Sequence, residues 1–113
     1  MMAKRRKVSP QVFSEISSEL QKVLGDKLKK IILYGSYARG DHSADSDIDI
    51  LVVIDDSDVR KYNDILSEIE LSILSRYGFL ISFIQEEQSF YDFHKNSLPF
   101  FRNVVEEGKV LYG

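Results

Sequence analysis

The sequence predicts a small α/β or α+β fold, one sheet with helices packed against it. Three observations point there. Two apolar runs, Leu28 to Tyr34 and Ile48 to Ile54, are strand-sized and largely β-branched or aliphatic. Segments with apolar residues every three or four positions precede and follow them, the period of amphipathic helices. The chain has 113 residues, 43% of them hydrophobic and 29% charged, which suits one buried core and excludes disordered, collagen-like and coiled-coil classes. A single domain over residues 1–113 is expected, with residues 1–8 as a flexible terminus.

The elements follow in order. Ser9 and Pro10 open a helix whose Val12, Phe13, Ile16, Leu20, Val23 and Leu24 share a face, and Gly25 stops it. Leu28 to Tyr34 is a short buried strand ending at Gly35, after which Tyr37, Ala38 and Arg39 form the first turn of a short helix. Gly40 to Ser46 is loop in composition. Ile48 to Ile54 is a strand interrupted only by Asp49. Asp55 to Asp58 supply cap and first-turn residues for a long helix through Val59, Tyr62, Ile65, Leu66, Ile69, Ile73 and Tyr77, with Gly78 beyond its end. Phe79 to Ile84 is a further strand. Ser97 and Pro99 open a last helix that Gly108 ends, and Lys109 to Tyr112 add an edge strand.

Composition narrows the function. Fifteen Lys and Arg against eighteen Asp and Glu give a formal charge of −3, the wrong sign for a general nucleic-acid or membrane-surface binder. The absence of Cys excludes a disulfide scaffold, a thiolate metal site and a Cys nucleophile. No apolar run approaches the ~20 residues that cross a bilayer. Lys4 to Lys7 are followed by Ser9, Pro10 and Gln11 where the apolar stretch of a signal peptide would begin. A cytoplasmic protein is expected, with no membrane partner.

The chemistry concentrates in Leu33-Tyr34-Gly35-Ser36-Tyr37-Ala38-Arg39-Gly40 and, six residues on, Asp47-Ile48-Asp49-Ile50. Side chains alternate along a strand, so Asp47 and Asp49 project from one face with Cα atoms roughly 7 Å apart. Two carboxylates so placed suit Mg²⁺, which takes oxygen ligands, keeps waters and shares itself with substrate phosphates. A charge at Asp49 inside an apolar strand is costly unless it is paired or metal-bound. Gly35 lets backbone approach a ligand, and the Ser36 hydroxyl and nearby N–H groups suit a triphosphate. Neither half is specific alone; the ordered combination is a compound signal. Arg39 contacts phosphate or a partner, or equally forms an ion pair with Asp41 or Asp45. His42 and His94 read as solvent-exposed. Tyr34, Tyr62, Tyr77, Phe79, Phe83, Phe100 and Phe101 read as core, with Tyr37 the exception, set beside the turn to pack on a base or partner.

This stretch resembles the hydrophobic-Gly-Ser turn and Asp-x-Asp-hydrophobic strand of the DNA polymerase β-like nucleotidyltransferases, and within them the minimal nucleotidyltransferase (MNT) family. Pro99 to Val104, Glu107-Gly108 and Leu111-Tyr112 are similar to that family's C-terminal helix and tail. The resemblance implies a small mixed sheet with flanking helices. It also implies Mg²⁺-dependent transfer of a nucleoside monophosphate, AMP foremost, from ATP or another triphosphate to a hydroxyl of a protein or RNA. Asp47 and Asp49 would be the catalytic and metal residues, and Gly35, Ser36 and Arg39 the nucleotide contacts. The implied partner is a HEPN-domain protein in a toxin–antitoxin pair, and self-association is a further expectation. The chain departs from the superfamily in one respect. A third carboxylate is common on a later strand, and here that strand carries only Ser82; Glu86 and Glu87 lie just beyond it and read as a solvated pair. The alternative is therefore a catalytically weak nucleotide-binding module that neutralises a partner by binding it.

Overall fold

A computed structural model describes residues 7–113. The basic residues Lys4, Arg5 and Arg6, and most of the terminus expected to be flexible, lie outside the described residues. The elements run α1 (Pro10–Leu24), β1 (Leu28–Tyr34), α2 (Ser36–Arg39), β2 (Ile48–Ile54), α3 (Asn63–Tyr77), β3 (Ile81–Glu87), α4 (Gln88–His94), α5 (Pro99–Glu107) and β4 (Lys109–Tyr112).

The four strands form one mixed sheet in the order β3-β2-β1-β4. β1 runs antiparallel to both β2 and β4, and β2 runs parallel to β3. A parallel pair needs a crossover, which α3 supplies. β2 is central in chemistry as in position: Ile48, Ile50, Leu51, Val52, Val53 and Ile54 are all at most 1% exposed. Each such side chain contributes roughly 1.5–3 kcal/mol by leaving water.

Alternation divides the sheet into two faces. Ile31, Leu33, Ile48, Ile50, Val52 and Ile54 pack against Val12, Ile16 and Leu20 of α1 and Leu66, Ile69 and Ile73 of α3. Ile32, Leu51 and Val53 point the other way, against Tyr91 of α4 and Phe101 and Val104 of α5. Asp49 shares that second face, being two residues before Leu51.

Several local expectations change. Strand β3 is displaced to Ile81–Glu87 from the predicted Phe79–Ile84, because it pairs along the whole of β2 and carries Gln85, Glu86 and Glu87 with it. The long helix is preceded by a separate 3-10 turn over Val59–Tyr62. Helix α4 has no counterpart in the sequence reading. Among the aromatics, Phe79 and Phe101 are core, but Phe100 is 41% exposed, one position away from the inward side of α5.

Candidate active site

Three strand ends meet on the α4–α5 face. The C-terminal end of β1 lies beside the start of β2, with Tyr34 opposite Asp49. The start of β3 lies on the other side of β2, with Ser82 opposite Asp49. Gly35 leaves β1 with φ 74° and ψ −156°, a region that is essentially glycine-only. A Cβ built on Gly35 would collide with the Asp49 carboxylate, so the turn backbone and that carboxylate are in direct apposition. The glycine is required twice, for its dihedral angles and for this approach.

Asp49 is half-buried. Its carboxyl is held above the usual range, first by burial and then by the charge of Asp47, while the Arg39 guanidinium pulls it down. Asp47 is exposed and sits immediately ahead of β2. The structure thus brings together Gly35, Arg39, Asp47 and Asp49, with Ser36 as the first residue of α2. Burial, and secondarily Asp49, push the Tyr34 phenol up to about 12, so it stays protonated and is not a base. Arg39 donates to Asp41 at 3.1 Å and to Glu107 at 3.3 Å, which fixes its planar head on the rim of the turn. The Asp41 pair is one the sequence suggested. Glu107 lies 68 residues away and leaves no signal in sequence spacing. Tyr34 was legible only through pairing, since strand alternation puts it on the face of Asp49 once the β1–β2 register is known.

Tyr37, Glu86 and Glu87 lie away from the site. Tyr37 is 8% exposed, belongs to the α1-side core, and stacks on His42 with ring centroids 3.9 Å apart. It is therefore not the outward-facing platform expected of it, and His42 is half-buried against it. Glu86 and Glu87 pair with Val53 and Ile54 at the far end of the sheet. Glu86 is four residues from Ser82, roughly 13 Å along the strand, too far to complete the acid pair.

Among the described residues no three His, Cys, Asp or Glu side chains gather as a metal site. The residues present still fit Mg²⁺: two neighbouring carboxylates, one of them strained toward protonation by the other and by burial, match an ion that keeps waters and takes its remaining ligands from phosphate. A cavity of about 510 Å³ opens on the α1 side between Val8, Phe13, Leu33 and Tyr37, away from Asp49. Among the described residues no helix is long and apolar enough to cross a membrane.

Comparison with known proteins agrees with this fold. Residues 14–113 match the family model described as Polymerase beta, Nucleotidyltransferase. "Putative protein adenylyltransferase MJ0604" of Methanocaldococcus jannaschii is 40% identical over 102 residues, covering 90% of this chain and 96% of the relative. A crystal structure of a toxin-antitoxin with AMP-PNP superposes with a TM-score of 0.58 at 26% identity, over 88% of this chain and 72% of that one. The tri-AMPylated Shewanella oneidensis HEPN toxin in complex with MNT antitoxin shares the fold, with TM-score 0.56 at 24% identity over 91% of this chain and 71% of that one. The mixed four-stranded sheet, the glycine turn against Asp49 and the match over residues 14–113 lead to one assignment: the chain belongs to the polymerase beta nucleotidyltransferase family.

Proposed function

We propose that this chain transfers AMP from ATP to a hydroxyl of a protein partner, with Asp47 and Asp49 as the catalytic pair. The observation that carries the reading is the apposition of the Gly35 turn and the Asp49 carboxylate on one sheet face, with Asp47 and Arg39 within electrostatic reach. The adenylyltransferase name of the archaeal relative supports AMP as the group and protein as the acceptor.

Asp47 and Asp49 would hold Mg²⁺, which supplies Lewis-acid stabilisation of charge on the attacking and leaving oxygens. The Gly35 backbone and the Ser36 hydroxyl position the β- and γ-phosphates, and Arg39, clamped by Asp41 and Glu107, presents its remaining N–H groups to them. The acceptor oxygen bonds to the α-phosphorus as the bond to the bridging oxygen breaks, and pyrophosphate leaves. With Ser82 opposite Asp49, the acceptor's proton passes to solvent. The partner is a HEPN-type toxin for which this chain is the antitoxin, a reading supported by the MNT-like motif and the toxin-antitoxin neighbour. The cytoplasm, where ATP is held, is the proposed compartment.

Ser82 also favours a second reading, a nucleotide-binding module that neutralises its partner by contact with little transfer. Incubation with ATP labelled at the α- or the γ-phosphate separates the two. Transfer leaves α-label on the partner and γ-label in pyrophosphate; a binding module leaves the partner unlabelled in both.

A further inference from the structure

We propose that the cleft between the end of β1 and helix α5 takes the adenine ring of the nucleotide, with Phe100 as its stacking surface and Asn103 as the group that reads it. The inference deepens the reading above and rests on it. The cleft has a volume of about 280 Å³ and is lined by Tyr34, Gly35, Arg39, Phe100, Asn103 and Glu107, among others. Gly35 is the proposed phosphate turn and abuts the Asp49 carboxylate, and Tyr34 is paired with Asp49, so the cleft borders the acid pair. Its size is below the ~300–1,000 Å³ typical of sites that enclose a whole drug-sized ligand. It suits a base, with the triphosphate outside over Gly35 and Ser36.

The chemistry of the lining selects a neutral aromatic ligand. Arg39 is paired with Glu107 at 3.3 Å and its remaining N–H groups are assigned to the phosphates, which leaves aromatic and carboxamide groups to contact the base. Phe100 is 41% exposed, and Tyr34 meets its ring edge-to-face, with centroids 5.4 Å apart at 86°. That contact holds the Phe100 ring in place, an exposed aromatic of the kind that stacks on bases. Asn103 follows three residues later on α5, on the same side of the helix. A carboxamide offers one acceptor and two donors, the pattern that pairs with N6 and N7 of adenine and mismatches guanine, whose N7 and O6 are both acceptors.

The test is calorimetric titration of the parent, Phe100→Ala and Asn103→Ala with ATP, GTP and tripolyphosphate, each with Mg²⁺. Asn103 is exposed, so Asn103→Ala keeps the fold, which circular dichroism checks. The parent is expected to prefer ATP over GTP. Asn103→Ala should lose that preference and about tenfold in ATP affinity, and Phe100→Ala about tenfold for both nucleotides, with tripolyphosphate binding unchanged in each. Parent-like ATP affinity in both variants, while Asp49→Asn still loses ATP, overturns the base cleft and leaves the acid site standing. Equal affinity of the parent for ATP and GTP overturns the assignment to Asn103. A parent that binds neither ATP nor tripolyphosphate overturns the cleft and the nucleotidyl-transfer reading together.

Discussion

Replacing Gly35 by alanine tests the apposition on which the site is built. Gly35 has φ 74° and ψ −156°, and an L-residue held there costs roughly 1–3 kcal/mol in backbone strain. The new methyl also meets the Asp49 carboxylate, and forcing a packed neighbour aside costs roughly another 1–3 kcal/mol. The two terms together give an expected loss of about 2–6 kcal/mol. An unfolding entropy of ~2.1 cal/mol/K per residue gives about 240 cal/mol/K for a chain of this length, so each kcal/mol lowers Tm by about 4 °C. Gly35→Ala should therefore melt about 8–24 °C below the parent. Gly40 is the internal control: its φ is 83°, and a Cβ there meets nothing within 4 Å. Gly40→Ala should cost only the left-handed strain, roughly 1–2 kcal/mol or about 4–8 °C. Thermal melts by circular dichroism read all three proteins. In the double variant Gly35→Ala/Asp49→Ala the collision term should return, a coupling of about 1–3 kcal/mol. Additivity in the double variant would refute the apposition.

Asp47→Asn and Asp49→Asn should each abolish the strengthening of ATP binding by Mg²⁺ while leaving Tm near or above the parent's, since each removes one charge of a repelling pair; calorimetry with and without Mg²⁺ checks this. Ser82→Asp, opposite Asp49, should raise transfer at least about tenfold by supplying the base that the strand lacks, and an unchanged rate with intact ATP binding would show that a base at this position is not what limits the chain. Asp56 is held well below the usual carboxylate range by hydrogen bonds from Lys61, the Asp58 backbone and Tyr62. Because its folded value is depressed, its contribution is present above the ordinary carboxylate range and is lost as pH falls through and below it. Asp56→Asn should accordingly destabilise at pH 7 and match the parent in strong acid; a pH-independent difference in urea midpoints contradicts the pairing.

The parts of the fold that bury continuous or periodic apolar residues were legible without coordinates. Helix α1 keeps Val12, Ile16, Leu20 and Leu24 at helical spacing and all four are buried; β2 is apolar on both faces because helices cover both. Legibility fell at the sheet edge. Gln85, Glu86 and Glu87 carry no strand signal of their own and are extended because β2 offers them a full-length parallel partner. Helix α4 exposes Phe90 and Phe93 and buries only Tyr91, so it has no apolar stripe to detect. The acid pair and glycine turn were visible as a motif, because their chemistry needs those residue types in that order. Their surroundings were not: Glu107 on Arg39 and Phe100 on Tyr34 come from α5, which no local spacing ties to the turn. Tyr37 was misplaced because a four-residue helix has no period from which to read its inward face.

The most direct test of the central claim is the intact mass of the partner after incubation of the purified pair with ATP and Mg²⁺, for the parent and for Asp49→Asn. The parent should add the mass of one or more AMP groups to the partner, and the variant, folded and still bound to it, should add none. A partner modified equally by both proteins, or by neither, would contradict the assignment of transfer to the Asp47–Asp49 face.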